Sequence, residues 1–278
     1  MIAGAVRRPL SGPGPWLLAA GALAWLALVI GAPLAVVFAQ AVAKGVGPFL
    51  DAFKDPDCQA AIRLTLLVAA IAVPLNAAFG LAAAWSIARF EFRGRAFLLT
   101  LIDLPLSLSP VISGLVWVLL FGSRGWFGPE LDAAGIKIVF ALPGLVLGTI
   151  LVTVPLVARQ LIPLMIEQGA DEELAAVTLG SGGWTMLRKV TLPNVRYALL
   201  HGVLLTNARA MGEFGAVSVL SGHIRGLTET LPLHVEAVYN DYDFVGAFAA
   251  ASLLAGLAIV TLIAKAALER TAMARTAS

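Results

Sequence analysis

Six apolar runs, each about 20 residues or longer, constrain this chain: Trp16 to Ala43, Leu64 to Ala88, Ala96 to Phe121, Ile138 to Val157, Val195 to Leu220 and Phe244 to Ala264. A helix of about 20 apolar residues crosses the roughly 30 Å hydrocarbon core of a bilayer, where every backbone polar group must be satisfied within the helix. The runs therefore predict an all-α integral membrane protein with six transmembrane helices. Composition agrees: 59% of the 278 residues are hydrophobic and 13% are charged, against about 25% charged in soluble domains. The mean hydropathy is +0.90. Arg7 and Arg8 precede the first run, and Phe38-Ala39-Gln40-Ala41 resembles a small-residue cleavage site. The apolar stretch between them is too long for a secretory signal, so it is read as a helix.

Several function classes fall away. Cys58 stands alone, which leaves no disulfide framework and no C-x-x-C site, and His201, His223 and His234 are too widely spaced for a shared metal. The basic residues are scattered through loops, which gives no nucleic-acid surface. No stretch resembles the G-x-x-x-x-G-K-[ST] phosphate loop, so the chain is not expected to hydrolyse ATP.

Lys and Arg set the orientation. With a cytoplasmic N-terminus the inside set is Arg7, Arg8, Arg89, Arg93, Arg95, Arg159, Arg188, Lys189, Arg196, Lys265, Arg270 and Arg275. The outside set, Lys44, Lys54, Arg63, Arg124, Lys137 and Arg225, is half that size. This bias predicts both termini in the cytoplasm, a cytoplasmic loop around Gly180 and an external segment from Ser221 to Asp243.

Prolines 33, 74, 105, 110, 143 and 155 interrupt the runs, and each removes a backbone hydrogen bond that a neighbour or water must replace. Pro105 and Pro110 stand out because DLPLSLSPVISG also carries Asp103, Ser107, Ser109 and Ser113. Hydroxyls beside broken helix geometry can bind a polar solute, which makes Ser109 and Ser113 candidates for a translocation path.

The fifth run carries Arg209 and Glu213 in TNARAMGEFGAVSVL. Its Leu, Val and Phe residues contribute roughly 3–6 kcal/mol toward insertion, against about 5–7 kcal/mol for two independent central charges. The segment is near break-even in lipid and should face protein or water. Spaced four apart, the charges share one helical face and can pair, in a stripe with Gly202, Thr206, Gly212 and Ala216. Arg209, Glu213 and Thr206 are thus candidates for a structural ion pair or for the solute's route.

The loop GADEELAAVTLGSGGWTMLRKVTLPNV reads as two short helices. Asp171, Glu172 and Glu173 suit a first turn, Gly180 its end, and Ser181 caps a second helix that Pro193 stops. Leu174, Val177, Trp184 and Leu187 would form an exposed apolar surface that wants a partner.

This loop resembles the EAA loop of binding-protein-dependent ABC importers, whose short helix docks on an ATPase subunit. Ala175 and Ala176 match its alanine pair, Gly180 its glycine, and Leu192 and Pro193 its close. Leu174 stands where that family often has glutamate, with Glu173 one place earlier. The runs from Asn207 to Gly226 and from Thr230 to Tyr242 are similar to the W-subunit branch of sulfate and thiosulfate importer permeases; molybdate permeases share the GEFG core. The resemblance implies a type I ABC importer permease with a cytoplasmic coupling-helix loop in a bacterial inner membrane. It implies as partners ABC ATPase subunits that carry ATP and Mg, a homologous second permease (a T subunit) and an external sulfate- or thiosulfate-binding protein, with no cofactor on this chain. It divides the chain into residues 1–59 (tail, first helix and external loop), 60–268 (permease domain, coupling loop about 164–193) and 269–278 (tail). The rival classes are a molybdate or tungstate permease, an ion-coupled secondary transporter, and a structural subunit of a respiratory complex, which would be expected to carry intramembrane histidine pairs.

Overall fold

The computed structural model describes residues 13–276, so Arg7 and Arg8 of the inside set lie outside the described residues. In chain order the helices are α1 Pro13–Leu26, α2 Ala32–Ala41, α3 Val46–Ala52, α4 Pro56–Arg89, α5 Arg95–Ser107, α6 Pro110–Phe121 and α7 Gly128–Ala133. They continue with α8 Leu142–Gln168, α9 Asp171–Thr178, α10 Gly183–Met186, α11 Leu192–Met211, α12 Gly215–Ser221, α13 Leu231–Asn240 and α14 Phe244–Thr276. Wide π-turns at Ala27–Gly31 and Leu187–Thr191 join α1 to α2 and α10 to α11. Each π-turn runs into a helix that carries a proline within its first two residues, Pro33 or Pro193. A proline has no N–H to continue the ladder and its ring crowds the preceding turn, which the wider turn absorbs.

Four segments, Gly14–Ala41, Pro56–Arg89, Leu142–Gln168 and Phe244–Leu268, are each long and apolar enough to cross a membrane. A fifth counts if α5 and α6 form one span, but they bend by 111° at the break between Ser107 and Pro110. The run from Ala96 to Phe121 is therefore not one straight helix; Pro110 starts a new helix instead of continuing the old one. The run from Val195 to Leu220 is broken likewise, because α11 ends at Met211 and α12 begins at Gly215. The sixth segment, α11, is long enough to span but less apolar than those four, and its buried face of Val195, Gly202, Thr206 and Ala210 packs on α4, α8 and α14.

Three further sequence expectations need correction. Pro193 does not stop the second loop helix: α10, the π-turn and α11 run on as one rod. The N-cap of α10 is Gly182 and no side chain caps it, so Ser181 does not. Its backbone is already used by the end of α9. Finally, α8 extends past Val157 to Gln168, which places Arg159 inside a helix and not in a loop.

The long pair α4 and α8 forms the scaffold. Asp55 caps α4 by accepting from the Cys58 N–H at 3.3 Å, which starts the helix two turns ahead of its apolar run. Midway, the Asn76 side-chain amide donates to Thr153 Oγ1 at 2.6 Å and to the Ile150 carbonyl at 3.3 Å. One turn below, fully buried Val157 lies between two glycines on other helices. A Cβ on Gly80 would stand 2.7 Å from Val157 Cβ, and one on Gly202 would stand 3.1 Å from Val157 Cα. Without a hydrophobic force between helices in lipid, such close approach supplies the packing. Around this point Ala84, Leu161, Met165 and Val195 form one core, and a second core nearer the start of α4 gathers Val68, Leu145, Val217, Leu220 and Leu233.

The segment from Ser221 to Asp243 is more buried than a free loop. Ser221 is fully buried and donates to the Thr228 carbonyl at 2.7 Å, while Arg225 pairs with Asp241. His234 on α13 lies 2.8 Å from Glu229. Burial pushes its imidazolium down, but hydrogen bonds to Cys58 and Glu229 hold it up at about 9.

Gly80→Leu should disrupt the α4–α8–α11 junction at a cost of about 1–3 kcal/mol, the usual range for overpacking. Thermal denaturation in detergent would show this as a lower midpoint. Gly21→Leu, where an added Cβ meets nothing within 4 Å, should leave the midpoint unchanged.

Candidate coupling and translocation site

The coupling end is built on α9. Asp171, Glu172 and Glu173 occupy its first turn, where exposed N–H groups favour negative charge. Its last turn closes through a Schellman pair: Gly180 N–H donates to Val177 O at 2.9 Å and Ser181 N–H to Ala176 O at 3.0 Å. Gly180 has φ +85°, with open space where a Cβ would stand, so a side chain there is penalised by backbone strain and not by crowding.

Glu173 points inward. It is buried, and its Oε2 accepts from Arg89 Nε at 2.7 Å while its Oε1 accepts from Thr191 Oγ1 at 2.7 Å. Arg89, in the last turn of α4, also donates to the Met165 carbonyl of α8 at 2.5 Å. One guanidinium therefore ties α9 to both scaffold helices, and Thr191 adds the π-turn. The neighbouring Glu172 accepts from Asn194, which fastens the same helix to α11. Arg89 was legible in sequence as an inside charge, but its partner lies 84 residues away and nothing local points to it.

The outer side of α9 has no protein cover among the described residues. Leu174, Val177 and Leu179 are 60%, 52% and 87% exposed, and Ala175 is exposed beside them. Leu192 and Pro193 lie apart from this face, at the start of α11.

The translocation candidates gather where the two helix breaks meet. A Cβ on Gly215 would stand 2.7 Å from Pro110 Cβ, and one on Gly114 would stand 2.6 Å from the Ala216 carbonyl, so α6 and α12 touch backbone to backbone. Glu213 lies in the break between α11 and α12, not on a helical face as the four-residue spacing predicts. It is 2% exposed, and its Oε1 accepts from the Ala216 N–H at 3.0 Å, which caps α12. Arg209 Nη1 lies 2.9 Å from Glu213 Oε2. That oxygen has no aligned hydrogen bond, so the contact there is coulombic. The side chain of Arg209 keeps 41% of its surface exposed. Thr206 and Ser113 are fully buried and donate back to Gly202 O at 2.8 Å and Ser109 O at 3.3 Å, whereas Ser109 is exposed at the α5–α6 break.

A second ion pair was hidden in the sequence. Arg159 Nε lies 2.7 Å from Asp103 Oδ1, joining α8 to α5 with side chains 53% and 44% exposed. Ending the fourth run at Val157 made Arg159 look like a loop charge. A half-exposed guanidinium and carboxylate on membrane helices require water or protein at that face.

The family model for "Binding-protein-dependent transport system inner membrane component" matches residues 76–273. The chain is 51% identical over 256 residues to the sulfate transport system permease protein CysW of Escherichia coli, covering 92% of this chain and 88% of that protein. It is 52% identical to a Synechocystis protein of the same name, covering 92% of each. The E. coli sulfate transport system permease protein CysT is 33% identical, covering 94% of each chain. Among solved structures, a bacterial ABC transporter that imports the acidic polysaccharide alginate superposes with a TM-score of 0.74 at 18% identity, covering 92% of this chain and 96% of that one. The broken helices, the uncovered apolar face of α9 and these likenesses together place the chain in the family of binding-protein-dependent transport system inner membrane components, the permease subunits of ABC transporters.

Proposed function

We propose that this chain is a permease subunit of an ATP-driven importer that carries sulfate, and with it thiosulfate, into the cytoplasm. The observation that carries this reading is its 51% identity, over 92% of its length, to a sulfate transport system permease. The alternative cargo, molybdate or tungstate, shares the tetrahedral oxyanion chemistry. The chain works in the cytoplasmic membrane with both termini inside, beside a T-type second permease, two ATPases and an external binding protein. Residues 60–268 form the permease domain, preceded by residues 1–59 and followed by a tail at 269–278. ATP and Mg belong to the ATPases.

In the proposed cycle the ATPase groove takes the exposed face of α9, with Leu174, Ala175, Ala176 and Val177, while Gly180 holds the helix end. Closure of the ATPases moves α9, and Glu173 passes that displacement through Arg89 to α4 and α8. Leu192 and Pro193 carry it into α11 along the same rod. The breaks at Ser109 and Glu213 then absorb the change between outward-open and inward-open states. Arg209 offers a guanidinium fork suited to an oxyanion, and Glu213, already holding that charge, keeps the anion's stay short.

Proteoliposomes holding the whole importer should take up labelled sulfate only with ATP inside, and unlabelled thiosulfate should compete better than molybdate. Uptake driven by an ion gradient without ATP, or competition by molybdate alone, would reject the reading. Arg209→Lys keeps the charge that neutralises Glu213 but loses the fork. The complex should assemble normally with sulfate uptake reduced at least about five-fold, comparable to the loss of one good charge-assisted contact. Normal uptake in Arg209→Lys would make the pair purely structural.

A further inference from the structure

The lower part of the rod, α10 and the π-turn, buries Met186 and Thr191 on one side. Its inner side holds Glu173, Arg89 and Thr191, but its other flank leaves a cavity of about 490 Å³ between α4 and the rod. Ala78, Leu81, Ala82 and Trp85 line it from α4, and Trp184, Leu187, Arg188 and Leu192 from the rod. Seven of these eight side chains are apolar or aromatic. The eighth, Arg188, is exposed and makes no ion pair among the described residues. Lys189 is exposed next to it, and Arg196 lies further along the rod.

We propose that this cavity is a binding site for an anionic phospholipid of the cytoplasmic leaflet, its acyl chain between Trp85 and Leu187 and its phosphate on Arg188. Three observations argue for this occupant. Trp85 lies one helical turn before Arg89, the last residue of α4, at the level where tryptophans mark a membrane interface. An apolar cavity of this size left empty forfeits the dispersion contacts of its whole lining, and a bilayer supplies acyl chains to fill it. A free cation at the cytoplasmic rim complements an anionic headgroup, as basic pockets between membrane helices on that side do. The cavity wall includes the first two residues of the π-turn, Leu187 and Arg188. A bound lipid therefore braces the segment that passes motion from α9 into α11. The site rests on the coupling loop being cytoplasmic and does not depend on which anion the importer carries.

The test uses the assembled importer in vesicles with phosphatidylglycerol or phosphatidylcholine probes carrying a photoreactive acyl chain, followed by peptide mapping. Phosphatidylglycerol should label residues 78–85 and 184–192, with unlabelled phosphatidylglycerol competing at least five-fold better than phosphatidylcholine. Arg188→Gln should reduce that preference to under two-fold. Ala82→Phe, which fills the cavity from an exposed position, should abolish labelling of both walls while labelling elsewhere and recovery of the complex persist. Equal competition by the two lipids overturns the anionic site. Absence of label from both walls, with zero-length crosslinks to the second permease in its place, assigns the cavity to that protein.

Discussion

A carboxylate that stays charged out of water needs a cation or hydrogen-bond donors beside it, and the α9 end of this protein is arranged around that requirement. Glu173 is buried against Arg89 and Thr191, with a second guanidinium nitrogen reaching the Met165 carbonyl. Removing one member of such a pair costs about 3–5 kcal/mol, because the other is left charged in a low-dielectric place. Helix ends reinforce the choice: Glu173 lies in the first turn of α9 and Arg89 in the last turn of α4, each at the end whose partial charge favours it. With its one inward acid so held, α9 can leave Leu174, Val177 and Leu179 uncovered and still keep a fixed place under the bundle.

The bundle above divides into a stiff part and an interrupted part. The helices α4 and α8 run 34 and 27 residues with prolines inside them, yet stay continuous because polar side chains and glycine contacts join them along their length. The α5–α6 and α11–α12 pairs are broken, and their breaks lie against each other through Gly215 and Pro110. In a membrane, non-helical backbone is tolerated only where protein or a wet cavity surrounds it. The half-exposed Arg159–Asp103 pair and the partly exposed Arg209 over buried Glu213 make the same demand of these helices. In the proposed cycle, the stiff scaffold would carry a push on α9 upward and the interrupted helices would absorb it.

Hydrophobic run length was enough to find the membrane class and the approximate place of the apolar helices, and turn chemistry was enough to find α9 and the place of Gly180 at its end. Continuity was not legible. An apolar run does not record whether its backbone breaks: Pro105 and Pro110 pointed to broken geometry near Ser107, but nothing marked the stop at Met211, and Pro193 looked like a stop that a π-turn removes. Arg159 was misplaced for a related reason: a charge appears to end a span when its partner, Asp103 on another helix, is unknown. Long-range pairing also hid Arg89, whose carboxylate follows 84 residues later. The inward turn of Glu173 depends on which face of α9 meets the bundle, and an eight-residue helix with acids all along its first turn leaves that open.

The central claim is that ATP-driven motion enters the membrane bundle through the Arg89–Glu173 pair. The ratio of sulfate imported to ATP hydrolysed, measured in the reconstituted importer for Arg89→Glu, Glu173→Arg and the exchanged pair, tests it most directly. Each single variant should place two like charges in one buried site and lower the ratio at least about ten-fold while hydrolysis continues, a change of roughly 1.4 kcal/mol or more in coupling. The exchanged pair should recover a substantial part of the ratio. A wild-type ratio in either single variant, with the complex intact, would contradict the account.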